Sequence, residues 1–387
     1  MRVIRTHLLV GVVCLFVASI GWAEVPPDTE VVTGESQGAL YAIYLPASWN
    51  GDLVLYSHGY TAPEDPLSIP SWETGDQLVG MGYAVALSSY SVNGWAVEEG
   101  FFETRHLLPL FTSIFGNPDD VYVAGHSMGG LIALRLAEKH PGLFDGVLPM
   151  CAVVGGAQME FDFGNDVRAL FDYFFPGVIP GDQFEIPDWL IMGGGDTYFW
   201  LFMNVLTVMC PDDWPLCDNP DPRVLELAGV DQVEIPYAAD WEAAYSILID
   251  LWAQITSAPD VFERTNGKEY FDNFDLVYTG SSDDEALNAG VARFHSERPG
   301  ESYLRRWYEP TGKLRLPMLT LHTTGDGLVP ITQQDWYAER VAEQRYSDNL
   351  VQRTIDRYDH CSFTVDEEVQ AFLDLVEWVE TGVKPNP

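Results

Sequence analysis

Lysine is nearly missing from this 387-residue chain: only Lys139, Lys268, Lys313 and Lys384 are present, and Lys plus Arg reach 20 against 58 Asp plus Glu. The resulting formal charge of −38 repels phosphate backbones and anionic bilayers, which argues against nucleic acid as a partner. Long apolar runs are missing too. The longest, residues 8–20, is 13 residues, short of the roughly 18 to 20 that span a bilayer, so no integral membrane anchor is expected. With Arg2 and Arg5 before it and Gly21-Trp22-Ala23 after it, this run reads as a secretory signal peptide over residues 1–23, cleaved near Ala23 for export to the periplasm or the medium. There is no phosphate-binding loop, no G-x-G-x-x-G after a strand and no H-E-x-x-H pair, so neither a cofactor nor a metal is expected. The Asp-rich loops lack the EF-hand register.

Cysteine is scarce as well. Beyond Cys14 in the leader, Cys151, Cys210, Cys217 and Cys361 remain, an even number in a compartment where disulfides persist. Cys210 and Cys217 bracket a Pro- and Asp-rich loop, which makes a local bridge the simplest pairing and leaves Cys151 for Cys361 by elimination. A zinc site built from the four is the alternative, although paired Cys-x-x-Cys knuckles are lacking.

What the chain does have is apolar mass: 47% hydrophobic and 13% aromatic residues, enough for a large core. Short β-type runs at residues 38–46 and 52–57 flank Asn50-Gly51, a hairpin signal. Strands then alternate with helical stretches: helix 72–81, strand 83–88, helix 97–115, strand 120–124, helix 131–140, strand 146–152. That rhythm predicts an α/β fold with a mostly parallel sheet covered by helices on both faces. It breaks after residue 154, where candidate helices at 166–174, 240–256 and 283–297 are punctuated by Pro and Gly. It resumes with strand 316–323, helix 332–343, strand 350–357 and helix 364–380. The expected organisation is a core of residues 24–154 and 313–387, split by a large helical cap over residues 155–312 that is inserted before the strand bearing the acid discussed below. Of the 50 aromatic residues, 26 fall in that insertion, so the cap is expected to offer an apolar surface to a ligand.

Gly125-His126-Ser127-Met128-Gly129 fits G-x-S-x-G between a buried strand and a helix, the context in which a sharp turn exposes a nucleophilic serine. Gly125 and Gly129 lack the Cβ atoms that would clash as strand and helix close together. The helix N-terminus behind Ser127 favours developing negative charge, and the Met128 amide is placed to donate to an oxyanion. A serine hydroxyl needs a base, and the base needs an acid to fix its tautomer.

From these residues the chain resembles the α/β-hydrolase superfamily of serine esterases, over nearly all of its length outside the insertion. The resemblance implies the order nucleophile, acid, histidine. It places the acid at Asp326, in Gly325-Asp326-Gly327-Leu328-Val329-Pro330, and the histidine at His360, just before the last helix. Asp356 and Asp359 lie nearer to His360 in sequence, but neighbours cannot easily bend back to its ring. His58-Gly59-Tyr60 resembles the His-Gly segment whose following amide is the second oxyanion donor, which gives Tyr60 that role and leaves His58 to brace the loop. A narrower, partial resemblance is to the tannase and feruloyl esterase group, which ties a cysteine beside the serine to one beside the histidine. Here Cys361 follows His360, but His126 stands before Ser127, so Cys151 would supply the partner.

The expected function is secreted hydrolysis of a small-molecule carboxylic ester with a bulky apolar or aromatic part, through an acyl-enzyme. A peptidase or amidase using the same triad is the first alternative, and a hydrolase-like binding protein without catalysis the second. Nothing in the sequence fixes an oligomeric state.

Overall fold

A computed structural model of the chain describes residues 26–191 and 194–387; the expected signal segment lies outside these residues. Eight strands form one sheet: β1 (Glu30–Ser36), β2 (Ala39–Leu45), β3 (Leu53–Ser57), β4 (Ala84–Ser88), β5 (Val121–His126), β6 (Gly146–Met150), β7 (Met318–Gly325) and β8 (Leu350–Tyr358). Their spatial order is β1-β2-β4-β3-β5-β6-β7-β8. The first two pairings are antiparallel and all the others parallel. Strands β3, β4 and β6 are buried at every residue and mostly apolar, as a place between two layers of helix requires.

The helices α1 (Glu73–Gly80) and α11 (Val365–Thr381) cover one face, packing Leu78, Phe372 and Leu375 against Tyr122, Leu148 and Leu321. The other face carries α2 (Val97–Phe115), α3 (Met128–Lys139) and α10 (Thr332–Glu343). Register aligns the strand ends. Ser57 is level with Gly125, His126 with Met150, Met150 with Leu321, and Gly325 with Tyr358. The loops that begin at residues 58, 127, 151, 326 and 359 therefore all open at the carboxyl edge of the sheet.

Between β6 and β7 the chain forms α4 (Ala157–Phe174), α5 (Gly194–Met209), α6 (Pro222–Ala228), α7 (Asp240–Arg264), α8 (Asp284–Gly290) and α9 (Arg298–Arg306). Phe171, Leu206, Val224, Leu248 and Leu251 belong to an apolar cluster of this segment's own. No helix among the described residues is long and apolar enough to cross a membrane.

Several sequence expectations need correction. Asn50-Gly51 does not make a hairpin, because β2 and β3 are not neighbours. The tight turn is Gln37-Gly38 between β1 and β2, where both residues have positive φ (56° and 90°). Strand β1 is absent from the sequence reading because Glu30, Thr33, Gly34, Glu35 and Ser36 give it the polarity of a loop, as befits an edge strand. Helices α5 and α6 were not anticipated either. Helix α7 does not stop at Thr256 but continues through Pro259 to Arg264. Its last turn is held from outside: Asp260 Oδ2 accepts the Trp95 amide at 2.7 Å, and Arg264 reaches Glu99 at 3.1 Å and the Asn93 carbonyl at 3.2 Å. The helix expected over 283–297 ends at Gly290, and α9 starts afresh with Pro299 in its first turn.

Candidate active site

Ser127 sits at the β5–α3 turn with φ 54° and ψ −123°, a conformation that costs a side-chain-bearing residue about 1 to 3 kcal/mol. Close packing holds it there. A Cβ at Gly125 would strike the Gly129 carbonyl, and one at Gly129 would strike the Ser57 carbonyl. The Ser127 amide donates to the Met150 carbonyl at 2.9 Å, tying the turn to the end of β6. The loop after β3 approaches from the other side, close enough that a Cβ on Gly59 would lie 3.4 Å from that of Ser127.

Two strands further along the sheet, Asp326 is fully buried. Its Oδ1 accepts the amides of Leu328 (3.1 Å) and Val329 (2.9 Å), and its Oδ2 lies 2.8 Å from His360 Nδ1. A buried carboxylate with both oxygens bonded is fixed in place, and it fixes the imidazole as the tautomer with its proton on Nδ1. Burial works against charging His360, but the Asp326 charge and hydrogen bond outweigh it and the pKa is raised above the ordinary 6.5. His360 Nε2 is buried and has no hydrogen-bond partner among the described residues, so it does not bond Ser127 Oγ in this state. Such bonds are commonly loose before substrate arrives. A second buried histidine, His322, lies 3.5 Å from Asp326 Oδ2; its Nε2 faces the Val329 carbonyl at 2.9 Å and its Nδ1 faces Gln334 at 3.2 Å. Burial, above all, lowers its pKa.

The histidine loop is pinned covalently. Cys361 pairs with Cys151, the residue after β6, and Cys210 pairs with Cys217. His58 stacks on Tyr90 with ring centroids 3.9 Å apart, and its nitrogens face the carbonyls of Gly59 (2.8 Å) and Ser89 (3.2 Å), bracing the loop that carries Tyr60. The Tyr60 hydroxyl donates to the Thr256 carbonyl of α7 at 3.1 Å. His126 points away from the reaction edge. Its ring meets the Tyr56 hydroxyl at 3.0 Å and Glu368 of α11 at 3.1 Å, and Glu368 also accepts Thr74 and Trp72 at 2.7 and 3.3 Å.

The sequence reading missed two carboxyls contributed by the inserted helices. Glu160 of α4 accepts Gln333 Nε2 at 2.7 Å, and its pKa is pushed up to about 8, chiefly by burial. Asp250 of α7 is 2% exposed with both oxygens unpartnered among the described residues. Burial first, then the charges of Glu160 and Asp326, push its pKa well up. A signal was present: Asp250 interrupts the apolar run Ile247-Leu248-Ile249-Asp250-Leu251-Trp252. A cleft of about 560 Å³ beside the site, lined by Met159, Asp162, Pro330, Gln333 and Trp336 among others, does not include Ser127 or His360.

Residues 92–160, which contain the serine turn, match a family model described as "Putative esterase". An esterase from Aspergillus oryzae superposes with a TM-score of 0.52 at 15% identity, covering 92% of this chain and 80% of that one. Feruloyl esterase B from the same organism gives 0.50 at 14%, with the same coverages. Strand order and flanking helices thus define the α/β-hydrolase fold. With the family match, the chain is a hydrolase of that fold. Among curated proteins, the o-phthalyl amidase of Xanthobacter agilis is 21% identical over 414 aligned residues, 92% of this chain and 89% of that protein.

Proposed function

We propose that the chain is an exported serine hydrolase that cleaves a carboxylic ester of a small molecule through an acyl-enzyme. The supporting observation is the 2.8 Å contact between His360 Nδ1 and Asp326, on loops that open beside the strained turn of Ser127. In this reading Ser127 Oγ attacks the carbonyl carbon while His360 Nε2 takes its proton. The Asp326 carboxylate stabilises the imidazolium, and the amides of Met128 and Tyr60 hold the oxyanion. His360 then gives the proton to the leaving alcohol, and a water repeats the sequence to release the acid. The residue 155–312 segment acts as a cap over this edge, and its aromatic content suits a bulky apolar or aromatic group. The two disulfides suit an oxidising compartment and so support export.

Amide cleavage by the same residues is the second reading, favoured by the likeness to an o-phthalyl amidase. Purified protein assayed with matched acetyl, octanoyl, feruloyl and phthalyl substrates, each as aryl ester and anilide, separates them. The ester reading expects kcat/KM to be higher for every ester and lost in Ser127→Ala. Higher values for the phthalyl anilide would replace it with the amidase reading.

A further inference from the structure

Helix α7 lies across the carboxyl ends of the strands. Near its start, the Glu242 carbonyl and Ser246 Oγ meet the Tyr358 hydroxyl at 3.3 and 3.4 Å, and Ser246 packs so tightly on Gly327 that a Cβ there would collide with it. This end sits over the loops after β7 and β8. Further along, the Thr256 carbonyl meets Tyr60 after β3, and Asp260 meets Trp95 after β4. Ser246 to Thr256 spans about 15 Å of helix, and β7 to β3 spans about 14 Å of sheet, so the helix advances in step with the strands. Asp250, one turn beyond Ser246 on the same face, therefore stands over the β7 and β6 loops, which carry Asp326 and Cys151.

No described residue supplies a hydrogen bond or a counter-charge to its carboxyl. Both oxygens are buried without a partner among the described residues, and after burial the groups that act on it most are Glu160 and Asp326, both carboxyls. A buried carboxyl left bare in this way costs stability, so its retention calls for a ligand that compensates it. One metal ion fits poorly: among the described residues, no group containing Asp250 places three ligand atoms within 4.8 Å of one another. An anionic ligand would face three carboxyls.

We propose that Asp250, assisted by Glu160, anchors a protonated amine on the leaving-alcohol part of the substrate. The alcohol side is indicated because His360, which would protonate the leaving oxygen, is bonded to Asp326 of the β7 loop and held beside Cys151 of the β6 loop through Cys361, the two loops beneath Asp250. An ammonium supplies both the missing charge and N–H donors for the bare oxygens, and the −38 charge of the chain steers cations inward. The proposal rests on the serine-hydrolase reading above.

The test compares benzoate esters of dimethylamino alcohols having two, three or four carbons between oxygen and nitrogen. Each is paired with the isostere in which C–H replaces the protonated N–H, and with an ester ending in carboxylate. We expect the best ammonium ester to exceed its isostere in kcat/KM by about 30-fold or more at low salt. Asp250→Asn should bring that ratio close to one and Glu160→Gln should reduce it less; replacing an unpartnered buried carboxyl by the amide of the same shape leaves the fold intact, as a melting curve would show. A binding arm needs no turnover: Ser127→Ala should bind the ammonium ester more tightly than the isostere by calorimetry, and the double variant with Asp250→Asn should not. Equal binding of the pair, preference for the carboxylate ester, or a ratio that survives Asp250→Asn overturns the proposal. Hydrolysis of the isostere and its loss in Ser127→Ala report separately on the hydrolase reading.

Discussion

Asp326 and Asp250 are both buried aspartates, and the two regions that carry them treat them in opposite ways. Asp326, on a strand-end loop, has two amides and an imidazole around its oxygens. Asp250, on a helix of the insertion, has no partner among the described residues. The first carboxylate is finished by the protein itself, which is what pre-organised chemistry requires, since the group must not move as charge develops beside it. The second is completed from outside in our reading, which is what recognition requires. In that reading the strand ends supply reactivity and the helices above them selectivity, so a variant should disturb one property more than the other.

The largest expected effect lies in the sheet region. Asp326→Asn should lower kcat about 10⁴-fold, because the amide favours the wrong imidazole tautomer. The same variant bears on pH. A base must be neutral to act and the pKa of His360 is raised, so the acid limb of the wild-type profile should lie above 6.5. Removing the charge that raises it should move the residual limb to lower pH. A limb that stays in place would mean that His360 is not the titrating group.

Next comes the disulfide that ties the two strand-end loops. Replacing Cys151 and Cys361 by Ser opens a link across 210 residues. Unfolding in urea should show a loss approaching 5 kcal/mol, and kcat should fall about 100-fold as the histidine loop loosens. Tyr60→Phe deletes the hydroxyl bond to α7 and keeps the backbone amide, so a loss of about 1 kcal/mol, roughly five-fold in kcat/KM, is expected. Smallest is the change to activity from removing Cys210 and Cys217. Their link spans seven residues within the insertion; stability should drop about 2 kcal/mol while kcat stays within about two-fold, as independent sites allow. A larger kcat effect there than at Cys361 would erase the division of labour.

The two regions also differ in what their sequences disclose. Strands buried on both faces write themselves as largely apolar runs, so β3 to β7 could be read directly, while the edge strand β8 showed as a short β-type run before the last helix, and the glycines around Ser127 marked the turn. The Asp326 and His360 loops were legible because each follows a strand in the order that the resemblance to α/β-hydrolases implies. The insertion offers no comparable rule. Its helices are set by packing on one another and on the core, which is how α7 passes Pro259 under the hold of Trp95, Glu99 and Asn93. Asp250 is marked in the sequence only by the apolar run it interrupts, and Glu160 looks like one acid among 58 until the fold brings the two near one edge. Strand β1 was hidden for a third reason, since an edge strand facing water has the composition of a loop.

The most direct measurement is covalent labelling of native protein with a fluorophosphonate, followed by peptide mapping. The account predicts one phosphonyl adduct on Ser127, none in Ser127→Ala, and much slower labelling in Asp326→Asn. An unlabelled serine in protein that retains its melting transition, or an adduct on another residue, would contradict it.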